Sequence, residues 1–473
     1  MTDITMMTVD AVCEKIKNKE ISPVELTNAC LSRIDEKNPT LNAYVYIARD
    51  EALKDARKAE DEIMRGAYRG KLHGIPIALK DLYYTKNMPT TACSKVLSDF
   101  VPDYDGTAVK RLAAHGTILL GKTNTTEFAF GPTNEESYFG PARNPWNSKK
   151  IPGGSSGGSA IAAASGMAYI AMGSDSGGSI RIPAAMCGCV GFKPSIGLIS
   201  SHGIVPLSAS MDTPGPLCRS VADVAITLDA VTGSDENDPC PYAVKGDPTR
   251  FYESIIKTTD LKGKVFAIPA NFFFDKTDYA VERVFFEAVD RLKALGAEIR
   301  EIFIPALDMI PKASTDLMFY EAALAHEENY RSKKELYAQG VIDRIEIGLN
   351  VSREAYLQAV CDREKMMAIW DETMQGVDAV LVPTCPIEPF DIGLGDPWLI
   401  TTRQKTEQGK TMATYHTRLA NMTGAPALSL PAGLTENGLP VGLMIMGKRN
   451  FDENVLKIGM AYEKAYAYPL CTE

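Results

Sequence analysis

Residues 168–183 read AYIAMGSDSGGSIRIP, and this stretch indicates the fold class of the chain. The first five residues are small or apolar and predict a buried strand. A turn rich in glycine and serine follows, and a short helix is expected to begin near Pro183. A strand that enters a helix through a tight turn is typical of α/β proteins.

Apolar and amphipathic segments alternate along the rest of the chain. Strands are predicted at 75–82, 117–120, 168–172, 264–268, 297–303 and 379–382. Helices are predicted at 106–114, 156–165, 220–232, 279–295 and 452–467. Asn437-Gly438 lies between apolar runs at 427–431 and 441–446 and predicts a closing hairpin. We therefore expect an α/β protein with a mixed sheet.

The first 66 residues have a helical pattern of their own. Thr8 can cap a helix to about residue 19, and Ser22-Pro23-Val24-Glu25 is a capping box that opens a helix to about residue 36. A third helix is predicted at 50–65. The region 304–376 is also mostly helical, and we expect it to act as a cap over the sheet rather than a separate domain.

Composition limits the classes of protein to which the chain can belong. It has 473 residues and a formal net charge of −10, which disfavours a phosphate-backbone partner, so no nucleic acid is expected. No apolar run is long enough to span a membrane, and the start lacks a secretory pattern. The ten cysteines form no CxxC pair. These features predict a cytoplasmic protein with reduced thiols. The sequence has no HExxH motif, no EF-hand loop and no GxGxxG after a strand, so no metal and no organic cofactor are expected.

Lys80 lies within the apolar strand predicted at 75–82, which is unusual for a lysine. Burial would disfavour its charged form and lower its pKa, and a neutral lysine can act as a general base. The alternative is a lysine whose stem follows the strand while its amine reaches water. Asp81 is not expected to be its partner, because adjacent strand residues point to opposite faces.

Two glycine-serine segments supply candidate nucleophiles. Residues 152–159 read PGGSSGGS and place serines in a tight loop before a helix. In the turn 173–183, consecutive backbone N–H groups can form an anion-binding nest. If Ser179 attacks a carbonyl, the N–H groups of Ser176, Gly177, Gly178 and Ser179 can hold the oxyanion. Asp175 and Arg181 flank this turn and are expected to brace it as an ion pair; an ordinary glycine turn is the alternative.

Two motif matches point to other chemistries. Gly153–Gly157 fits the G-x-S-x-G elbow of Ser-Asp-His esterases, but no strand is predicted before it. Gly116–Thr123 fits the P-loop pattern, but its four middle residues read as a buried strand rather than a phosphate cradle. The esterase stays open as a second alternative, whereas no ATP site is expected.

The lysine, the GGSSGG loop and the D-x-GGS-I-R turn, separated by 75 and 24 residues, resemble the amidase signature family. The similarity extends from about residue 10 to about 467. Further matching segments are Gly121–Asn124, Arg143–Trp146, Val190–Pro194, Asp212–Pro216 and Gly438–Gly442. The resemblance implies one α/β/α domain over residues 1–473 around a large mixed sheet, with a catalytic core at 67–233.

The resemblance also assigns roles to individual residues. Ser179 matches the nucleophile, Ser155 the bridging serine that follows a cis peptide bond, Lys80 the base, and Ser156 a supporting serine. Phe128, Ala129 and Phe130 match the acyl pocket. Two phenylalanines there favour an apolar or aromatic acyl group, although both could equally be core residues.

These assignments predict an amidohydrolase that cleaves a small-molecule amide, such as an aryl amide, or an ester or carbamate, through a Ser179 acyl-enzyme. The small molecule would be its partner, with a homodimer left open. The first alternative is the A subunit of a glutamine-dependent tRNA amidotransferase, which would need a partner chain. That subunit typically carries glutamine where this chain has Ile182.

Overall fold

The computed structural model describes residues 3–243, 250–394, 400–401, 410–411, 413–467 and 471. Its strands, in chain order, are β1 (Tyr44–Ile47), β2 (Pro76–Lys80), β3 (Ile118–Thr123), β4 (Ile170–Ser174), β5 (Val190–Lys193), β6 (Pro214–Cys218), β7 (Val265–Pro269), β8 (Glu298–Ile302), β9 (Ala379–Pro383), β10 (Ile400–Thr401), β11 (Lys410–Thr411), β12 (Ala427–Leu434) and β13 (Pro440–Met446).

The α-helices of the same residues lie before, between and after these strands. They are α1 (Val9–Lys17), α2 (Pro23–Leu41), α3 (Arg49–Met64), α4 (Thr107–Ala114), α5 (Gly157–Ala164), α6 (Arg181–Cys187), α7 (Val221–Val231), α8 (Phe251–Ile255), α9 (Tyr279–Ala294), α10 (Ile310–Lys333), α11 (Gln339–Leu349), α12 (Arg353–Thr373), α13 (Arg418–Thr423) and α14 (Asp452–Ala465).

Eleven strands form one mixed sheet in the order β1-β3-β2-β4-β6-β5-β12-β13-β9-β7-β8. Strand β2 runs parallel to β3 and β4, and β7 runs parallel to β8 and β9. The strands between these two groups pair antiparallel. The predicted mixed sheet is confirmed, and β10 and β11 form a separate two-stranded pair.

Each face of the sheet packs against its own hydrophobic core. Strand β13 shows the division, because Leu443 and Ile445 belong to one core and Met444 and Met446 to the other. Helices α1, α2, α7, α9 and α14 contribute to the first core, and α10 to α13 contribute to the second. Alternating strand residues thus bury both faces of the sheet under helices, giving the expected α/β/α layers.

The local signals at the start of the chain are confirmed. The Thr8 side chain accepts a hydrogen bond from Ala11 N, and the Ser22 side chain accepts one from Val24 N. Helix α2 runs further than expected, to Leu41, and it contains Pro39. The expected helicity of 304–376 is present in α10 to α12. No described helix is long and apolar enough to cross a membrane.

The segment that matches the P-loop pattern is not a phosphate cradle. Helix α4 ends at Ala114, and β3 follows as a strand within the sheet. The Lys122 amine is fully buried and donates to the carbonyl of Tyr83 and to Thr90 Oγ1. Lys122 is therefore a structural lysine that joins β3 to the loop after β2.

Candidate active site

Lys80 is the last residue of β2 and is fully buried. Its Nζ lies 2.6 Å from Ser155 Oγ, 3.0 Å from Ser156 Oγ and 2.9 Å from Ser174 Oγ. Ser174 reaches the amine because β2 and β4 are parallel neighbours and both end at this edge. The alternative of a lysine with its amine in water is wrong, since three buried hydroxyls surround it.

Burial controls the charge of this amine. It lowers the pKa of Lys80 to about 7, although the carboxylates of Asp175 and Asp212 favour the charged form. Near neutral pH a substantial fraction of Lys80 is therefore uncharged. An uncharged amine has two N–H donors and one lone pair, so it can accept a proton from a neighbouring hydroxyl.

The Ser155 loop connects an extended segment to the start of α5. The Gly154–Ser155 peptide bond is cis, as the resemblance implies. Gly158, in the first turn of α5, allows this helix to approach a neighbouring segment closely, because a Cβ atom there would lie 2.5 Å from Asn124 N. No strand leads directly into Ser155, since β3 ends at Thr123, and the side-chain partner of Ser155 is a lysine. The esterase elbow is therefore not formed.

The turn that carries Ser179 is organised by Asp175. The expected ion pair is present: the Asp175 carboxylate accepts from Arg181 Nε and Nη2, each at 2.9 Å. Asn421 Nδ2 donates to it at 2.9 Å. Burial by itself would raise the pKa of Asp175, but the Arg181 guanidinium and these hydrogen bonds hold it well below its ordinary value.

The Asp175 carboxylate also occupies one of the backbone N–H groups that were predicted to hold the oxyanion. Gly178 N–H donates to Asp175 Oδ1 at 2.7 Å, so the prediction for Gly178 is wrong. The N–H groups of Ser176, Gly177 and Ser179 donate to no other described residue. Three donors of the predicted nest thus have no protein acceptor, and their role toward an oxyanion stays a prediction.

Ser179 is partly exposed and lines a narrow pocket. Its hydroxyl makes no hydrogen bond to any described residue, so proton transfer from Ser179 to Ser155 stays a prediction. A cavity of about 590 Å³ adjoins this pocket. The two share the lining residues Ala129, Ser176 and Leu207.

The predicted acyl-pocket residues separate into two groups. Ala129 and Phe130 line the pocket of Ser179. Phe128 lies outside both sets of lining residues and packs against His326, with ring centroids 4.4 Å apart. It is a core residue, so its assignment to substrate is wrong. The positive φ angles of Phe128 and Ala129 turn consecutive side chains away from each other.

Four residues around the site were not predicted from the sequence. Ser174 bonds Lys80, Thr417 Oγ1 donates to Gly177 O at 2.6 Å, Asn421 holds Asp175, and Arg418 lines the pocket. Ser174 could have been predicted from the stretch 168–183, because it lies at the end of β4, the strand predicted there. Residues 417–421 could not, because their contacts span more than 230 positions in the chain.

The comparisons with known proteins all point to one family. The Amidase family model matches residues 25–456. The glutamyl-tRNA(Gln) amidotransferase A subunit of Geotalea daltonii is 37% identical, covering 97% of each chain. The crystal structure of the Thermotoga maritima protein of that description has a TM-score of 0.82, at 32% identity over 100% of this chain and 99% of that one. A bacterial aryl acylamidase has a TM-score of 0.87 at 28% identity, covering 97% of this chain and 96% of that one.

These relatives correct the main functional expectation. Full-length relatives at 35–37% identity are amidotransferase A subunits, which contradicts the prediction of a small-molecule amidase and favours the first alternative. The family itself is shown by a model match across most of the chain and by relatives that align from end to end. The chain belongs to the amidase family and is an amidohydrolase that acts on amide C–N bonds.

Proposed function

We propose that this chain is the A subunit of a glutamyl-tRNA(Gln) amidotransferase, in which it hydrolyses glutamine to supply the amide nitrogen. The observation that carries the proposal is the end-to-end match to such subunits, at 37% identity over 97% of both chains.

The Lys80–Ser155 hydrogen bond supports a glutaminase reaction in which Ser155 relays a proton to Lys80. Neutral Lys80 accepts the proton of Ser155, which accepts the proton of Ser179. Ser179 Oγ then attacks the side-chain amide carbon of glutamine, and the N–H groups of Ser176, Gly177 and Ser179 stabilise the oxyanion. The proton returns through Ser155 to the leaving nitrogen, which departs as ammonia. Water hydrolyses the ester on Ser179 and releases glutamate.

The isoleucine at position 182 does not oppose this proposal. Ile182 is fully buried and packs in an apolar cluster with Ile151, Met186 and Cys385. It belongs to neither set of cavity-lining residues. Ile182 therefore contributes to the packing beneath the turn and not to the lining of either cavity.

The partners expected from composition also need correction. The prediction of a small-molecule partner with no nucleic acid is contradicted by relatives that are amidotransferase subunits. The net charge of −10 still makes this chain a poor surface for phosphates. Within the proposal we therefore assign most of the tRNA contact to a partner subunit and the release of ammonia to this chain.

Co-purification followed by an activity assay tests the proposal. The chain is purified from its own cells with whatever subunits accompany it, and ammonia release from glutamine is measured with and without glutamyl-tRNA(Gln). We expect glutamine hydrolysis that depends on Ser179, formation of glutaminyl-tRNA, and loss of both activities in Ser179→Ala. Turnover of short neutral amides with no hydrolysis of glutamine, by a chain that purifies alone, would contradict it.

A further inference from the structure

Ser176 is a residue of the predicted nest whose side chain is held by a distant part of the chain. Only 3% of its surface is exposed, and it lines both the pocket of Ser179 and the adjoining cavity. Its N–H group donates to no other described residue, whereas its hydroxyl donates to Asp212 Oδ1 at 2.5 Å. The main chain of Ser176 is thus left for an oxyanion while its side chain is fixed by Asp212.

Asp212 closes the loop 207–212, which leads into β6. Its second oxygen, Oδ2, accepts from Leu207 N at 2.8 Å and from Ser208 N at 3.1 Å. Hydrogen bonds to a carboxylate are stronger than those between neutral groups. One carboxylate therefore ties the start of the loop to the turn that carries Ser179.

The contact between Ser176 and Asp212 continues the register of the sheet. Ser174 and Pro214 are paired in the antiparallel strands β4 and β6. Beyond them, Asp175 N donates to Thr213 O at 2.9 Å. Ser176 and Asp212 are the next pair, joined through their side chains. The sheet thus fixes the approach to Ser176, and Asp212 fixes Ser176 itself.

Helices α10 and α12 hold the loop that carries Asp212. Glu321 of α10 accepts from Ser208 Oγ at 2.6 Å and from Ser210 N at 3.0 Å. Arg363 of α12 donates from Nη1 to Ser210 O at 2.6 Å. The carboxylate of Asp212 therefore lies between an anchored loop and Ser176, and it has little freedom to move.

We infer that Asp212 is a positioning residue for the reaction at Ser179, because it fixes Ser176 so that the N–H group of this residue meets the oxyanion. Oxyanion donors act only when they are held at hydrogen-bond distance from the oxygen on which charge develops. Supporting residues supply this precision. The inference rests on the part of the proposed function in which Ser179 is the nucleophile; it does not require glutamine as the substrate.

A positioning role and a purely electrostatic role of Asp212 predict opposite effects on rate. The carboxylate favours the charged form of Lys80 and so opposes the base. If charge were its only influence, a neutral residue at 212 would speed the reaction near neutral pH, whereas a positioning role predicts a slower reaction. Measurement at pH 8.5 removes the effect on the base, because burial lowers the pKa of Lys80 to about 7.

Asp212→Asn is the test variant. Asparagine keeps an oxygen for the two main-chain N–H groups of the loop but presents an NH₂ group to Ser176, so it cannot accept from the hydroxyl there. The readout is the second-order rate at which a fluorophosphonate probe labels Ser179 at pH 8.5, in enzyme purified with its accompanying subunits. The phosphoryl oxygen of the probe occupies the oxyanion site, so no substrate has to be known. We expect labelling to slow about tenfold.

Asp229→Asn is the matched control. Asp229 is half-buried like Asp212, and burial raises the pKa of each carboxyl to about 6. It also accepts from two main-chain N–H groups, those of Phe251 and Tyr252, but it lines neither cavity. We expect Asp229→Asn to be labelled at the wild-type rate.

A double-mutant cycle shows whether Asp212 acts through Ser176. Ser176→Ala removes the hydroxyl that Asp212 holds, and it should slow labelling by a similar factor. In that background Asp212→Asn should change the rate less than twofold, since the contact it breaks is already absent. Effects that multiply in the double variant would mean that Asp212 acts elsewhere and would overturn the inference.

The remaining outcomes separate this inference from the proposed function. Labelling of Asp212→Asn at the wild-type rate would overturn the inference, whether or not the enzyme hydrolyses glutamine. Equal slowing in Asp229→Asn would show a general loss of structure and would also overturn it. An enzyme that ignores glutamine but shows the coupled slowing would overturn the glutaminase proposal and support the role of Asp212.

Discussion

Lys80 combines two properties that a general base requires: a hydroxyl at 2.6 Å and a pKa that burial lowers to about 7. Lys122, one strand away, is equally buried, and burial lowers its pKa to about 8. The two lysines differ in their partners, because Lys122 faces a carbonyl and a threonine whereas Lys80 faces three serines. Whether a buried lysine can act as a base therefore depends on the hydrogen-bond partners of its amine and not on burial alone.

The charge of Lys80 predicts a pH dependence. The base acts only when neutral, so kcat/KM for glutamine should rise as pH increases through about 7 and level off above it. Lys80→Ala should lower kcat at least about 10³-fold with the fold intact by circular dichroism. Lys122→Met, a buried lysine outside the serine network, should keep the pH midpoint. Near-wild-type activity in Lys80→Ala would refute the assignment of the base.

At the scale of elements, α13 and the Ser179 turn depend on each other. Thr417, just before α13, bonds Gly177, and Asn421 within α13 bonds the Asp175 carboxylate. Gly178 directly follows Gly177 and has φ at +128°. A Cβ atom there would approach Thr417 Oγ1 to 2.2 Å, so the contact between turn and helix requires glycine.

This close approach predicts the effect of one added methyl group. Gly178→Ala should lower the free energy of unfolding by about 3 kcal/mol, from the positive φ and the overlap with Thr417, and should reduce kcat. Urea denaturation and glutamine hydrolysis measure the two effects. Gly177→Ala is the control for stability, because the nearest atom to its Cβ is Met318 Sδ at 4.0 Å. Equal stability of the two variants would contradict the proposed contact.

For the molecule as a whole, the sheet and its two cores bury a set of ionisable groups. Lys80, Lys122 and Lys193 are fully buried, and burial lowers their pKa values to about 7, 8 and 7. In the unfolded chain these amines have ordinary, higher pKa values of about 10.4. Between about pH 7 and 8 these three amines therefore bind more protons in the unfolded chain than in the folded one.

Stability should consequently rise with pH in this window. We expect the free energy of unfolding from urea titrations to increase between about pH 7 and pH 8. Above this range buried cysteine thiols, whose pKa values burial raises, oppose the increase. Lys193→Met should flatten the increase, because Lys193 Nζ bonds only the Pro194 carbonyl among described residues, at 2.8 Å. Lys365→Met, at an exposed lysine, should leave the slope unchanged. A flat profile in the wild type would contradict the lowered pKa values.

Local signals in the sequence determined the α/β class, the caps at Thr8 and Ser22, and the position of Lys80 in an apolar strand. These depend on periodicity and on hydrogen bonds between neighbouring residues. Strand β6 escaped because it contains Pro214 and Pro216, and only its place between β4 and β5 makes it a strand. The division of the chain into segments at 1–66, 67–233 and 304–376 stays a prediction.

The tertiary structure alone decided which groups meet at the site. Ser174 reaches Lys80 across 94 residues, and Thr417 reaches Gly177 across 240. In the folded chain Phe128 packs against His326 rather than lining the pocket, and the Gly178 N–H donates to Asp175. Arg418 and Ser179 line the same pocket. Such contacts follow from how strands and helices pack, and packing couples distant segments that local sequence patterns treat independently.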